Sequence, residues 1–351
     1  MWAYEGIFYQ IYPIGFCGAP TANDGKTVSR ILKLKDWSSY LESLGISSIL
    51  LNPIFESDNH GYDTRDYTKL DVRLGTNEDF KEVCGKLHDN NIKVVLDGVF
   101  NHVGRGFFAF QDLLKNRENS PYKDWFTNVN FDWNNNYNDG LSYEGWEGHN
   151  ELVKLNLRNE EVIRHIFSAV EGWIKEFDID GLRLDVAYSL DMDFVRRLRQ
   201  FVDSKKDDFY LLGEMIHGDY NRLLDEQNML HSVTNYQAYK GMWSSFNDRN
   251  LFEINYTLEQ HFCGMYQGRH LLNFLDNDED TLVLCRAALP MAQAGPGFAY
   301  SAPGRELREV WKNKMTNAVS GASLVSGWLP IFGPETIAEL EPVLAKMEQE
   351  S

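Results

Sequence analysis

Short apolar runs alternate with amphipathic stretches along most of this chain. The runs at 6–11, 48–51, 94–99, 181–185, 210–214, 232–235, 271–276 and 297–300 have the length and residue content of buried strands. Between them, 37–44, 77–90, 160–177 and 192–202 carry helical periodicity. In 160–177 the residues Val162, Ile166, Val170, Trp173 and Phe177 fall on one face. Asn77, followed by Glu78 and Asp79, reads as a helix cap with an acidic first turn. Strands that alternate with helices lie parallel, because each crossover returns the chain to the same end of the sheet. Eight of them predict an α/β fold closed into a (β/α)8 barrel, which takes about 250 residues plus insertions. The 351 residues accommodate that. A doubly wound open sheet is the structural rival, but no GxGxxG or P-loop follows the first run, which weakens its nucleotide-binding form.

One excursion breaks the rhythm. Residues 103–155 are rich in Asn, Asp, Gly and aromatics, as in FDWNNNYNDGLSYEGWEGH. A segment of that length inside a compact domain is a functional loop or a subdomain. It leaves the third strand at its C-terminal end, the face on which barrels carry their sites. The expected layout is therefore a barrel in two parts, 1–102 and 156–302, an inserted region at 103–155, and a helical C-terminal extension at 303–351. Trp125, Trp133, Tyr143 and Trp146 in the insertion suit stacking on sugar rings.

Charge and composition then exclude partners. The formal net charge of −18 should repel nucleic acid and anionic lipid, which need basic patches. A neutral substrate fits better. The four cysteines, Cys17, Cys84, Cys263 and Cys285, form no CxxC pair and read as free thiols in a reducing compartment. The start, MWAYEGIFYQIYP, lacks the layout of a signal peptide, and no run reaches the roughly 18 apolar residues of a membrane span. A cytoplasmic location is expected.

Barrel chemistry uses side chains at strand ends. The third strand ends in Asp97-Gly-Val-Phe-Asn101-His102, the fourth in Arg183-Leu-Asp185, and the fifth in Gly213-Glu214. Residues two apart on a strand share a face, so Arg183 and Asp185 point together into the mouth. A neighbouring guanidinium favours an ionised Asp185, as a nucleophile requires. Glu214 has apolar sequence neighbours, and burial there would suit it to act as a general acid. Adjacent strands can set two carboxyl groups about 5–5.5 Å apart, the spacing of a retaining glycosidase. Singly, each residue could be an ion pair, a rim residue or a loop cap; their order on successive strands gives the set its weight.

DGVFNH at 97–102, GLRLDVA at 181–187 and GE at 213–214 resemble three successive signature segments of the α-amylase family. GISSILLNPIFES at 45–57, HGYDTRDY at 60–67 and LVKLN at 152–156 resemble further stretches of it. The resemblance spans about residues 6–277, and its tone is nearest the cyclomaltodextrinase-like and neopullulanase-like branch. It implies retaining hydrolysis of α-glucosidic bonds in short α-glucans such as maltooligosaccharides or cyclodextrins. Asp185 would be the nucleophile and Glu214 the acid/base. Arg183 would orient Asp185, Asp97 would shape the site, and His102 would hold a sugar hydroxyl. Tyr62 would stack on the sugar, with His60 beside it. No metal is expected: Asn101 matches a position that binds calcium in some relatives, but Ala187-Tyr188 offers no partner ligand. Some members of the branch form homodimers, and nothing here marks a dimer surface.

The pattern departs from the family at one place. The Asn-His-Asp that ends the seventh strand is replaced by NFLDN at 273–277, followed by Asp278-Glu279-Asp280. If a histidine is deleted, Asp278 is the third catalytic carboxylate; if it is substituted, Glu279 takes that place. Asp278 is preferred because the acid type is unchanged. The 51 residues after Tyr300 are too few for the family's usual C-terminal β-sandwich. A transglycosylase or isomerase using the same intermediate, or a catalytically impaired sugar-binding member, are the alternative functions.

Overall fold

The computed structural model describes residues 1–225, 228–247, 251–274 and 322–324. Asp278, Glu279, Cys285, the run at 297–300 and most of the extension at 303–351 lie outside them. Seven parallel strands follow one another around the sheet in chain order: β1 (Phe8–Ile11), β2 (Ser48–Leu51), β3 (Lys93–Gly98), β4 (Gly181–Leu184), β5 (Tyr210–Gly213), β6 (Ser232–Thr234) and β7 (Leu271–Leu272). This is the curled sheet of a (β/α)8 barrel. The expected run at 271–276 is shorter as a strand, since Asn273 and Phe274 already lie beyond it. At the other edge a short strand, Ala322–Leu324, runs antiparallel to β1.

Alternation along the strands separates two apolar layers. Phe8, Leu50, Val95, Tyr210 and Leu212 pack together in the lumen. Tyr9, Ile11, Ile49, Leu51, Val94, Leu96, Leu182, Leu184 and Leu211 face outward into the larger core beneath the helices. Those helices are α1 (Lys33–Ser43), α2 (Asn77–Asp89), α3 (Glu160–Phe177), α4 (Met192–Asp203), α5 (Tyr236–Asn247) and α6 (Phe252–Phe262). The amphipathic face read from the sequence of α3 is the buried one, and its Trp173 stacks on Phe55 at 4.3 Å while donating to the Tyr67 carbonyl at 2.7 Å. Asn159 caps α3 through Glu161 and Val162, and Asp191 caps α4 through Asp193 and Phe194. The cap of α2 is Thr76 rather than Asn77. Thr76 and Asp79 form a reciprocal capping box, and the Asn77 amide instead ties down the backbone of Leu70 and Thr68.

The insertion is more ordered than its composition suggests. His102–Gly104, Gly145–Trp146 and His149–Lys154 form a three-stranded antiparallel sheet, and Phe108–Asn116 is helical. Trp125 and Tyr143 do not offer sugar platforms. Trp125 is buried against Phe108, Tyr122 and His165 and donates to Glu161 at 3.0 Å. Tyr143 is buried on Phe110 and hydrogen-bonded to Arg105 and the Asn150 carbonyl. Their aromatic area is buried in the core that the insertion shares with the barrel's outer layer. No helix among the described residues is long and apolar enough to cross a membrane.

Candidate active site

Towards the C-terminal ends of the strands the lumen changes from apolar to polar. Phe8, Leu50 and Leu212 give way to Gln10, Arg183 and Glu214 around a cavity of about 20 Å³, room for one water. Above it, Arg183 joins three strands. Its Nη1 donates to Asp97 Oδ2 at 2.6 Å and to Asp185 Oδ1 at 3.3 Å, and its Nη2 to Glu214 Oε1 at 2.5 Å. Arg183, Asp97, Asp185 and Glu214 are all buried. The planar fork of a guanidinium fixes both distance and orientation of the carboxylates it holds.

Local backbone completes the placement. The Asp185 N–H donates to the Gly98 carbonyl at 3.2 Å, and the Glu214 N–H to the Leu184 carbonyl at 2.9 Å, so each carboxylate hangs from the preceding strand. Val186, next after Asp185, stands at φ 40° and ψ 48°, a left-handed conformation costly for a β-branched residue. That turn directs the Val186 N–H to Glu214 Oε2 at 2.9 Å. Glu214 is thus buried as expected, but not in an apolar surround: Arg183 and Val186 hydrogen-bond both of its oxygens. These donors come from residues 28 and 31 positions away, which no reading of its sequence neighbours reveals.

His102 Nε2 lies 4.0 Å from Asp185 Oδ2. Burial, aided by nearby His60, pushes the His102 pKa down to about 4, and Asp63 and the Tyr62 backbone offset only part of this. The ring is neutral near pH 7 and retains one N–H to donate. His60 and Tyr62 lie on one loop, their rings 6.0 Å apart. Arg73, wholly buried on Asp71, anchors this loop by donating to the carbonyls of Pro20 at 3.0 Å and Asn59 at 2.6 Å and to Ser57 Oγ at 2.7 Å. Asn101 contacts His102 Nδ1 at 3.2 Å, and the described residues contain no group of three or more His, Cys, Asp or Glu arranged for a metal.

The sequence reading passed over Gln10, Asn52 and Tyr236. Gln10 Nε2 donates to Asn52 Oδ1 at 3.0 Å, and Asn52 Nδ2 to the Tyr62 phenol oxygen at 2.8 Å, so β1 and β2 together orient Tyr62. Both are polar residues at C-terminal strand ends, a signal that was legible. The Tyr236 phenol lies 3.5 Å from Glu214 Oε1, and no sequence pattern marks it. Asp180 shows the contrasting case at the opposite end of β4. Burial raises its pKa, but His88, the Val94 N–H, Lys93 and Lys206 outweigh that and hold its carboxyl well below the usual range. That ion cluster belongs to the face that stabilises barrels.

A model of the alpha-amylase catalytic domain matches residues 10–277. The intracellular maltogenic amylase of Bacillus subtilis (strain 168) is 32% identical over 328 residues, covering 86% of this chain and 54% of that protein. A cyclomaltodextrinase of Thermoanaerobacter pseudethanolicus is 36% identical over 270 residues, covering 71% and 46%. Among solved structures, a cyclomaltodextrinase superposes with a TM-score of 0.68 at 29% identity, covering 82% of this chain and 54% of that one. The cyclic alpha-maltosyl-(1→6)-maltose hydrolase from Arthrobacter globiformis gives 0.66 at 26% identity, covering 82% and 71%. The chain spans about half the length of these two curated relatives. With its strands in barrel order and its carboxylates at their ends, the chain belongs to the alpha-amylase catalytic-domain family of glycoside hydrolases.

Proposed function

We propose that this chain cleaves α-glucosidic bonds in short α-glucans with retention of anomeric configuration. The observation that carries the reading is the single Arg183 guanidinium holding Asp97, Asp185 and Glu214 together at the barrel mouth. Asp185 attacks the anomeric carbon, the bond to the leaving sugar breaks, and Glu214 gives its proton to the departing oxygen. Water then attacks the same carbon, Glu214 takes its proton, and the ester to Asp185 breaks. Two inversions return the original configuration. Neutral His102 donates to a sugar hydroxyl, and Tyr62 stacks beside it. Asp278 completes the proposal as the third carboxylate, gripping hydroxyls in the transition state.

The relatives' names support the substrate class: maltogenic amylase and cyclomaltodextrinase both denote enzymes of α-glucans. The Bacillus subtilis protein is named intracellular, which supports a cytoplasmic location here. The test is incubation of the chain with maltooligosaccharides and a cyclodextrin beside Asp185→Asn and Glu214→Gln, with product anomers followed by NMR. Release of α-anomers by the parent and by neither variant is the expected result. β-Anomers would exclude retention, and turnover that survives in both variants would exclude this pair of carboxylates.

A further inference from the structure

The aromatic residues of the insertion divide into two sets. Trp125 and Tyr143 are buried, whereas Trp133 is 69% and Tyr137 50% exposed. Tryptophan is highly buried on average, and Trp133 is the one exposed tryptophan among the described residues. Both rings stand on one turn, residues 131–140. Its ends are joined by the paired backbone hydrogen bonds of Asn130 and Ser142, at 2.9 and 2.8 Å.

That turn is cross-braced by its own amides. Asn134 Nδ2 donates to Asn138 Oδ1 at 2.6 Å, and Asn134 Oδ1 accepts from the Gly140 N–H at 2.9 Å. Asn135 Nδ2 donates to Asp139 Oδ2 and to the Leu141 carbonyl, both at 2.8 Å. Its Oδ1 accepts from the Tyr137 N–H at 2.7 Å. Two arginines staple the turn to the rest of the insertion. Arg117 donates to the carbonyls of Asp139 at 3.2 Å and Gly140 at 2.6 Å. Arg105 pairs with Asp139 at 2.9 Å, and its guanidinium lies over the Tyr137 ring, 3.8 Å from the centroid. With one face of Tyr137 covered in this way, the opposite face is the one left for solvent.

A single exposed apolar side chain needs no explanation. Here two rings are mounted on a turn that is already ordered, so a ligand docking there does not have to order it. Around them the exposed groups are amides, Asn134, Asn136 and Asn138. Arg105 answers Asp139, which leaves Asp132 as the turn's only exposed charge. Flat aromatic faces beside neutral donors and acceptors suit a neutral, polyhydroxylated ligand. We propose that the turn 131–140 is a platform for an α-glucan chain, separate from the residues that carry out cleavage. Trp133 and Tyr137 each receive the C–H face of a glucose unit, and the three amides exchange hydrogen bonds with its hydroxyls. Arg105 directly follows the strand His102–Gly104, whose His102 lies 4.0 Å from Asp185. A polymer anchored on the platform therefore offers other stretches of itself to the barrel mouth at a raised local concentration. The choice of glucan rests on the function proposed above; the platform itself performs no chemical step.

The test is native electrophoresis through gels containing amylopectin, with dextran as the control polymer. The full chain carrying Glu214→Gln is the starting protein, so that the polymer is not degraded. It is compared with the same chain bearing Trp133→Ala, Tyr137→Ala or Trp133→Phe. These side chains are exposed, and circular dichroism verifies the fold of each variant. We expect the starting protein to be retarded by amylopectin and not by dextran. Trp133→Ala should weaken apparent amylopectin affinity roughly tenfold, the loss of one buried aromatic anchor. Tyr137→Ala should weaken it less, and Trp133→Phe, which keeps a ring, should stay near the starting value. Maltotriose affinity, read by calorimetry, should change less than about twofold in all three. A starting protein that is not retarded, or alanine variants retarded as strongly as it is, overturn the platform. Equal losses for amylopectin and maltotriose also overturn it, by making these rings part of the mouth. Trp133→Phe as weak as Trp133→Ala overturns the stacking. Loss of self-association in Trp133→Ala, with retardation unchanged, gives the surface to a second copy of the chain and overturns the glucan. Retardation as expected, with no cleavage of maltotriose by the unsubstituted chain, upholds the platform and sinks the hydrolase reading alone.

Discussion

Lowering the pH from about 8 to about 5 loads two buried histidines that make opposite demands on folded and unfolded chains. Burial, with nearby His60, brings the folded pKa of His102 to about 4. Burial, with Arg199 and the N-terminal charge, brings that of His231 to about 3. An unfolded imidazole titrates near about 6.5. The unfolded chain therefore takes up protons first. Stability is complete above about pH 6.5 and falls as the pH drops towards the folded values. At about pH 5 the unfolded ring is almost fully charged and the folded ring almost neutral, so each histidine costs about 2 kcal/mol. Together that is about 4 kcal/mol of a total typically about 5–15. Asp180, whose folded pKa is lowered, contributes stability that is lost only below about pH 4, outside this window. Urea denaturation at both pH values reads the loss directly. His231→Asn is the informative variant, because its carbonyl can accept from the Leu211 N–H that now donates to His231 Nδ1 at 3.0 Å. It should lose about 2 kcal/mol less than the parent between the two pH values. Equal losses in parent and variant, or no loss in the parent, would refute the argument.

Two other substitutions probe the frame that positions the site. Arg73→Met leaves Asp71 buried without its counter-ion and frees the backbone around Pro20 and Asn59; it should cost about 3–5 kcal/mol in urea denaturation and open that loop to limited proteolysis. Thr76→Ala removes one half of the capping box on α2 and should lower stability by about 1 kcal/mol with the activity retained, read by the same denaturation.

The sequence carried the barrel because its strand runs are short, apolar and bounded. Ser48–Leu51 and Glu160–Phe177 have the limits their patterns imply. Helix starts were harder: α1 begins four residues before Trp37, where three of the four residues (Lys33, Lys35, Asp36) are polar and only Leu34 is buried, and Thr76 and Asn77 are both good caps, so only the capping box decides between them. In the site, period two placed Arg183 and Asp185 on one side of a strand. What it could not give was the reach of Arg183 across to Glu214 on β5, because that bond depends on two strands being neighbours. The insertion's aromatics failed for a related reason. Trp125 and Trp133 look alike in sequence, yet one is 6% and the other 69% exposed.

The Arg183 bridge also determines which charge this mouth tolerates. One guanidinium answers three acidic side chains, and His102 brings none, so the enclosure holds more negative than positive groups away from water. A low-dielectric space of that sign favours a ligand that becomes cationic, as a sugar does when its leaving group departs. It should accept amine-bearing mimics of that state and turn away sugars that carry phosphate or carboxylate. Selection by charge would thus be written into the barrel mouth itself, upstream of any contact made by the insertion.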